Sequence, residues 1–226
     1  MANLVYRANR DKGDEAHESV AFAMLWLVSY LFLLRVPSEA LPMRKLEPTA
    51  AGASEEQSII WKDGDAVCLR LKTRKNRRQG SGIMKRSCTC RGGKATCAVH
   101  TLWDDWFEHW PTGAAPWENC SQQFVIKRLR QDLAKLAPMV SEPEKHGTHD
   151  FRRGHAEDMR ASGCPLADIL RAGQWKSAAF LRYVNEAMFL CLKRSCISLA
   201  FALQAELEKD VAYYCAVESE DEEWID

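Results

Sequence analysis

The sequence has no surplus of charge: 31 lysines and arginines balance 31 acids. Bulk charge therefore does not point to nucleic acid. It also lacks an apolar run of membrane length. Val20 to Leu34 is strongly apolar, but it is shorter than the roughly 20 residues a span needs, and it reads as a buried core helix. No secretion signal opens the chain, because Asp11, Asp14, Glu15 and Glu18 stand where a positive segment belongs. Internal repeats are absent too. A membrane protein, a secreted disulfide scaffold and a repeat array are therefore not expected.

What is present suffices for one full domain with appendages. The chain has 226 residues, 46% of them hydrophobic and 27% charged, so a packed core is expected. The zero net charge hides an asymmetry. Arg70, Lys72, Arg74, Lys75, Arg77, Arg78, Lys85, Arg86, Arg91 and Lys94 lie in a stretch without a single acid. The tail instead carries Glu218, Glu220, Asp221, Glu222, Glu223 and Asp226. A basic block and an acidic end on one chain fit a polyanion binder with a solvated terminus. Nine cysteines, an odd number, suggest a reducing compartment and thiols available for metal. An intracellular, nuclear location is expected.

Along the chain, residues 1–17 are polar and read as a loose segment. The apolar helix over 18–34 ends near Arg35-Val36-Pro37, since the proline biases Val36 away from helix. Ser38 is placed to cap a short helix carrying Glu39. Residues 46–57 read as loop. Ile59-Ile60-Trp61 and Ala66–Leu71 read as two strands around Asp63-Gly64. Lys72–Arg78 then forms the tip of a further hairpin returning through Ile83-Met84. A buried helix is expected over 101–110, with Trp103, Trp106 and Trp110 in the core. Ser121 caps a helix with Phe124, Val125, Leu129, Leu133 and Leu136 on its apolar face. Thr148 or Asp150 opens another helix that Gly163 closes, Pro165 starts the next, and Gly173 ends it. A long helix follows from Ser177 to about residue 210. The expected class is mainly α with a small antiparallel sheet, α+β.

The chemistry concentrates between His149 and Tyr183. His149 and Arg152, three residues apart, share a helix face. The arginine offers a planar fork to phosphate, the histidine carries a proton, and the Tyr183 hydroxyl is a nucleophile. Upstream stand Leu33-Leu34-Arg35-Val-Pro-Ser-Glu39 and the basic hairpin with Arg74-Lys75-Asn76. Downstream stands Gly173-Gln-Trp-Lys-Ser-Ala-Ala-Phe180. This ordered set resembles the catalytic domain of the tyrosine recombinase (phage integrase) superfamily over about residues 18–190. The Gly-x-Trp-x-Ser-x-x-Phe pattern resembles recombinases of eukaryotic DIRS-like and Crypton mobile elements. The fold is shared with type IB topoisomerases.

The resemblance implies DNA strand cleavage and rejoining through a 3′-phosphotyrosine, with DNA as partner and neither metal nor ATP in catalysis. Arg35 and Arg152 would clamp the scissile phosphate. Tyr183 would attack it, Lys75 (with Lys72 as fallback) would protonate the leaving oxygen, and His149 would assist proton movement. Gln174 or Trp175 would fill the family's second His/Trp position. Glu39 follows Arg35 by four residues where the family usually has three. Lys72, Arg74, Arg77, Arg78 and Lys176 are the expected DNA contacts. The segment after the tyrosine, 191–215, would pack into a neighbouring protomer on DNA or complete its own core, and 216–226 is an acidic tail. The family's N-terminal clamp domain is expected to be absent or to lie on another chain. A catalytically silent DNA binder and a zinc-braced interaction module are the alternatives.

Cys88-x-Cys90-x6-Cys97-x2-His100, inside an insertion over 86–102, supplies three thiolates and an imidazole. That is a plausible tetrahedral zinc set, structural rather than catalytic. No small-molecule substrate and no membrane partner are expected.

Overall fold

The computed structural model describes residues 15–74, 81–88, 90, 94–136 and 139–175. The hairpin tip with Lys75, Arg77 and Arg78 lies outside them. So do Lys176, Tyr183, the long C-terminal helix and the acidic tail. The chain forms two compact units, residues 1–155 and 156–226.

In the first unit, helix α1 (Glu15–Leu31) is the central element. Residues Phe22 to Val28 are all buried, so the helix is apolar around its whole circumference, as a core helix must be. Among the described residues no helix is long and apolar enough to cross a membrane. The helix ends on Leu33, whose φ of 51° is left-handed. Leu34 N–H donates to the Ser29 carbonyl at 2.8 Å, which closes the terminus. A non-glycine residue in that conformation costs about 1–2 kcal/mol. Burying the Leu33 side chain completely contributes about 1.5–3 kcal/mol and offsets it.

A single turn of π-helix, Val36–Ala40, follows, with Arg35 extended before it. Ser38 therefore lies inside the turn instead of capping it, and Val36 is helical despite the proline after it. The Glu39 carboxylate replaces the expected cap by reaching back to the Arg35 N–H at 2.8 Å. This is the acidic half of a capping box.

The sheet is mixed, not purely antiparallel. Strands β1 (Arg44–Lys45), β2 (Ile59–Asp63), β3 (Ala66–Arg70) and β4 (Met84–Ser87) lie in that order. β1 runs parallel to β2, and the other pairs are antiparallel. Parallel neighbours require a connection of about a dozen residues or more, and the loop between Lys45 and Ile59 supplies it. The β2–β3 turn holds Gly64 at φ 60°, the left-handed geometry that a two-residue hairpin turn demands. Leu71 and Ser81 bond to each other across the next hairpin.

Over 101–110 the expected helix is broken. A π-helical turn, Ala98–Asp104, gives way to a 3₁₀ turn, Phe107–His109. Trp106 departs from helical geometry at φ −136°, and its ring stacks on Trp117 at 5.0 Å. Packing of this aromatic cluster outweighs helical continuity. Helix α2 (Gln122–Ala134) begins as expected, with the Ser121 side chain accepting from Phe124 N–H at 3.2 Å. Val125 and Leu129 are buried, whereas Phe124 is exposed.

Helix α3 (Asp150–Ala161) begins directly after His149 and carries Arg152 in its first turn, and Gly163 follows it at φ 77°. Phe151 of α3 stacks on Trp26 of α1 at 5.1 Å. Helix α4 (Leu166–Gly173), in the second unit, starts after Pro165.

Ser121→Ala removes the cap of α2 and should cost about 1 kcal/mol. Thermal unfolding should show a Tm lower by about 2–4 °C.

Candidate functional site

The site is built on one carboxylate. Glu39 is 1% exposed and has three guanidinium groups around it. Arg35 Nη1 lies 3.3 Å from Oε1, Arg74 Nε 3.7 Å from Oε1, and Arg152 Nη1 3.9 Å from Oε2. Buried charges persist only when paired, and this pairing leaves an excess of positive charge. Glu39 lies one turn after Arg35, its N–H donating to the Arg35 carbonyl at 2.9 Å, and Leu41 N–H reaches back to the Val36 carbonyl at 3.0 Å. The Glu39 carboxylate thereby reaches both the backbone and the side chain of Arg35.

The end of α1 organises the same cations. Arg152 and Arg74 both donate to the Leu33 carbonyl, the latter at 3.3 Å. Arg86 Nε donates to the Leu31 carbonyl at 2.7 Å, and its guanidinium covers the Phe32 ring at 5.2 Å. His155 meets the Tyr30 carbonyl and stacks on the Tyr30 ring at 4.5 Å. A helix C-terminus presents carbonyls without intrahelical partners and a partial negative charge, so it attracts cations. Burial, and then the neighbouring charge of Arg74, lower the pKa of Arg86 to about 10. It remains a cation at neutral pH.

His149 directly precedes α3, and its carbonyl accepts the Arg153 N–H at 3.1 Å. Burial of its inner side lowers its pKa, and the charges of Arg35 and Arg152 push the same way. Its outer face stays exposed. Arg35, His149 and Arg152 are thus brought together. Arg74, expected among the exposed basic residues of the hairpin, is buried beside Glu39 instead, with Nη1 3.1 Å from Met84 Sδ. Lys72 is exposed as expected and pairs with Glu56 at 3.4 Å.

At the end of α4 the residue in left-handed conformation is Gln174 (φ 49°), one position past the expected Gly173. A Cβ on Gly173 would come within 1.9 Å of the Trp175 ring, so this glycine makes room for the indole. Gln174 Oε1 is buried without a hydrogen-bond partner, and Trp175 is buried.

The four candidate ligands of the Cys/His segment lie together. The ligand atoms of Cys88, Cys90, Cys97 and His100 all lie within 4.8 Å of one another, a group that could hold a metal ion. His100 Nδ1 is 3.5, 3.0 and 3.5 Å from the sulfurs of Cys88, Cys90 and Cys97, and Cys97 Sγ is 3.8 Å from Cys88 Sγ. The Cys90 thiol is pushed up to about 12, first by its hydrogen bond with Cys97, then by burial and Cys88. Crowded thiols keep their protons until a cation compensates the charge.

No family model, no curated protein and no solved structure matches this chain.

Sequence reasoning treated Glu39 only as a register marker and gave Arg86 no separate role. The legible signal was an acid one turn after a candidate arginine, in a segment apolar enough to be buried.

Two outcomes follow from this geometry. Glu39→Ala leaves buried guanidinium charge uncompensated and should cost about 3–5 kcal/mol in urea unfolding. His149 binds its proton less readily when folded than its ordinary 6.5. The unfolded chain then takes up more protons below that value, so stability should fall as pH drops through it. His149→Gln should flatten this dependence in urea midpoints measured between pH 7.5 and 5.5.

Proposed function

We propose that the chain breaks and rejoins DNA strands through a 3′-phosphotyrosine, on a core like that of the tyrosine recombinases. The observation carrying this reading is that Arg35 and the distant His149-x-x-Arg152 segment come together: both arginines pair with Glu39, and His149 feels the charge of both. Two guanidinium groups there suit the extra negative charge of a pentacoordinate phosphorane. Tyr183 attacks phosphorus and its phenolic proton passes to His149, whose lowered pKa leaves it neutral and able to accept at pH 7. The bond from phosphorus to the 5′ oxygen breaks, and Lys75 or Lys72 protonates that oxygen. The reverse sequence reseals the strand, because the covalent intermediate keeps the bond energy.

Gln174 or Trp175 donates to a phosphate oxygen. Exposed Lys72 contributes to DNA affinity together with Arg77, Arg78 and Lys176. Its exposed pair with Glu56 is worth only about 0–1 kcal/mol and yields readily to phosphate. Copies of the chain assemble on the DNA.

The Cys/His group holds structural zinc in this reading. Tetrahedral zinc with bonds of about 2.3 Å to sulfur and about 2.0–2.1 Å to nitrogen requires edges of about 3.8 Å (S–S) and about 3.5 Å (S–N). The separations of 3.8, 3.5, 3.5 and 3.0 Å fit this set, with Cys90 slightly close. When bound, the ion supplies a crosslink, not chemistry.

One observation favours a second reading. Arg152 is 1% exposed and Arg74 6%, so both guanidiniums serve the fold as it stands. A silent descendant would keep them for stability and bind DNA without cutting it.

Relaxation of supercoiled plasmid in EDTA separates the two. The wild type should relax the plasmid and leave a protein–DNA adduct that survives denaturant, and Tyr183→Phe should do neither. Salt-sensitive binding by both proteins without relaxation would establish the silent binder.

A further inference from the structure

Strand β4 runs from the arginine cluster to the first residue of the Cys/His group. Cys88 directly follows β4, and its N–H bonds the Asp65 carbonyl at 3.3 Å. Among the described residues, β4 pairs only with β3, so it is an edge strand of four residues. So short an edge holds its place poorly by itself.

Its two inward residues both touch the arginine site. Met84, 5% exposed, accepts from Arg74 Nη1 at 3.1 Å. Arg86 bonds the Leu31 carbonyl at 2.7 Å and covers Phe32. Between them, Lys85 turns outward to Asp63 at 2.8 Å.

The other side of the metal group is set in buried structure. Cys97 is 1% exposed and immediately precedes the buried turn Ala98–Asp104. Its carbonyl accepts from both Thr101 and Leu102 at 3.2 Å. Cys88, at the end of β4, and Cys97, before the buried turn, bring their sulfurs to 3.8 Å from each other.

The geometry points to a metal-dependent arginine site. An ion held by Cys88, Cys90, Cys97 and His100 ties β4 to the buried 97–104 turn, and β4 in turn holds Arg74 and the end of α1 in register around Glu39. Without the ion, the end of β4 is released. Met84 and Arg86 loosen their hold on Arg74 and on the Leu31 carbonyl, and Leu33 presents its carbonyl less firmly to Arg152. The metal thereby governs phosphate binding from a distance while touching no substrate. This inference rests on reading the arginines as a phosphate site and the Cys/His group as zinc ligands.

The test uses the full chain. Zinc content is measured first by elemental mass spectrometry. Hydrogen exchange and the anisotropy of a fluorescein-labelled, mixed-sequence duplex are then followed with and without a zinc chelator. Chelation should speed exchange over residues 31–41 about tenfold or more, with little change over residues 122–134, and should weaken duplex binding by a similar factor. Zn²⁺ should restore both and Mg²⁺ neither, and Cys90→Ser should reproduce the chelated state. Faster exchange confined to residues 84–104, with unchanged duplex binding, would overturn the coupling. A chain that holds no zinc and takes none up would remove the ligand assignment and the inference with it. A metal response at residues 31–41 without duplex binding in either state would sustain the coupling and sink the DNA reading.

Discussion

The convergence of three arginines on Glu39 and on the end of α1 is the constraint around which the first unit is arranged. A carboxylate at 1% exposure is tolerable only with cations beside it. Those cations come from three separate parts of the chain: Arg35 after α1, Arg74 after β3 and Arg152 on α3. Glu39 therefore ties a turn, a sheet and a helix together with one side chain. The Leu33 carbonyl adds a second common point for Arg74 and Arg152.

Such a centre is well suited to hold a phosphate and equally suited to hold a fold. Guanidinium groups engaged with a carboxylate and a carbonyl are fixed in orientation, so little entropy is lost when an anion arrives. Excess positive charge beside a histidine of lowered pKa creates the contrast between donor and acceptor that phosphoryl chemistry needs. Arg152 is buried, and the open side of the cluster is the one where Arg35 and His149 keep exposed surface.

Much of this was legible in local patterning. The apolar helix ending before Arg35, the hairpin strands around Gly64, the Ser121 cap and the Cys/His spacing all appear close to where local rules put them. Each depends on neighbours within a few residues, as capping, turn chemistry and metal spacing do. The expected helix over 101–110 failed because Trp106 turns to stack on Trp117, a contact that helical periodicity does not encode. The parallel β1 escaped because two residues carry no pattern. Arg74 looked like hairpin surface because a run of basic residues reads as solvated, and one member turning inward toward Met84 and Glu39 leaves no trace in composition.

The sequence by itself determined the core helix, the hairpin, the cap of α2, the helix that begins directly after His149, and the Cys/His spacing, because short-range chemistry specifies them. Only the tertiary structure decided that Glu39 would be the hub, that the turn after Arg35 would be a π-turn, and that Arg74 would be buried. Those outcomes depend on where a buried carboxylate finds its charges. That is a question of distance in space between Arg35, Arg74 and Arg152, which spacing along the chain does not answer.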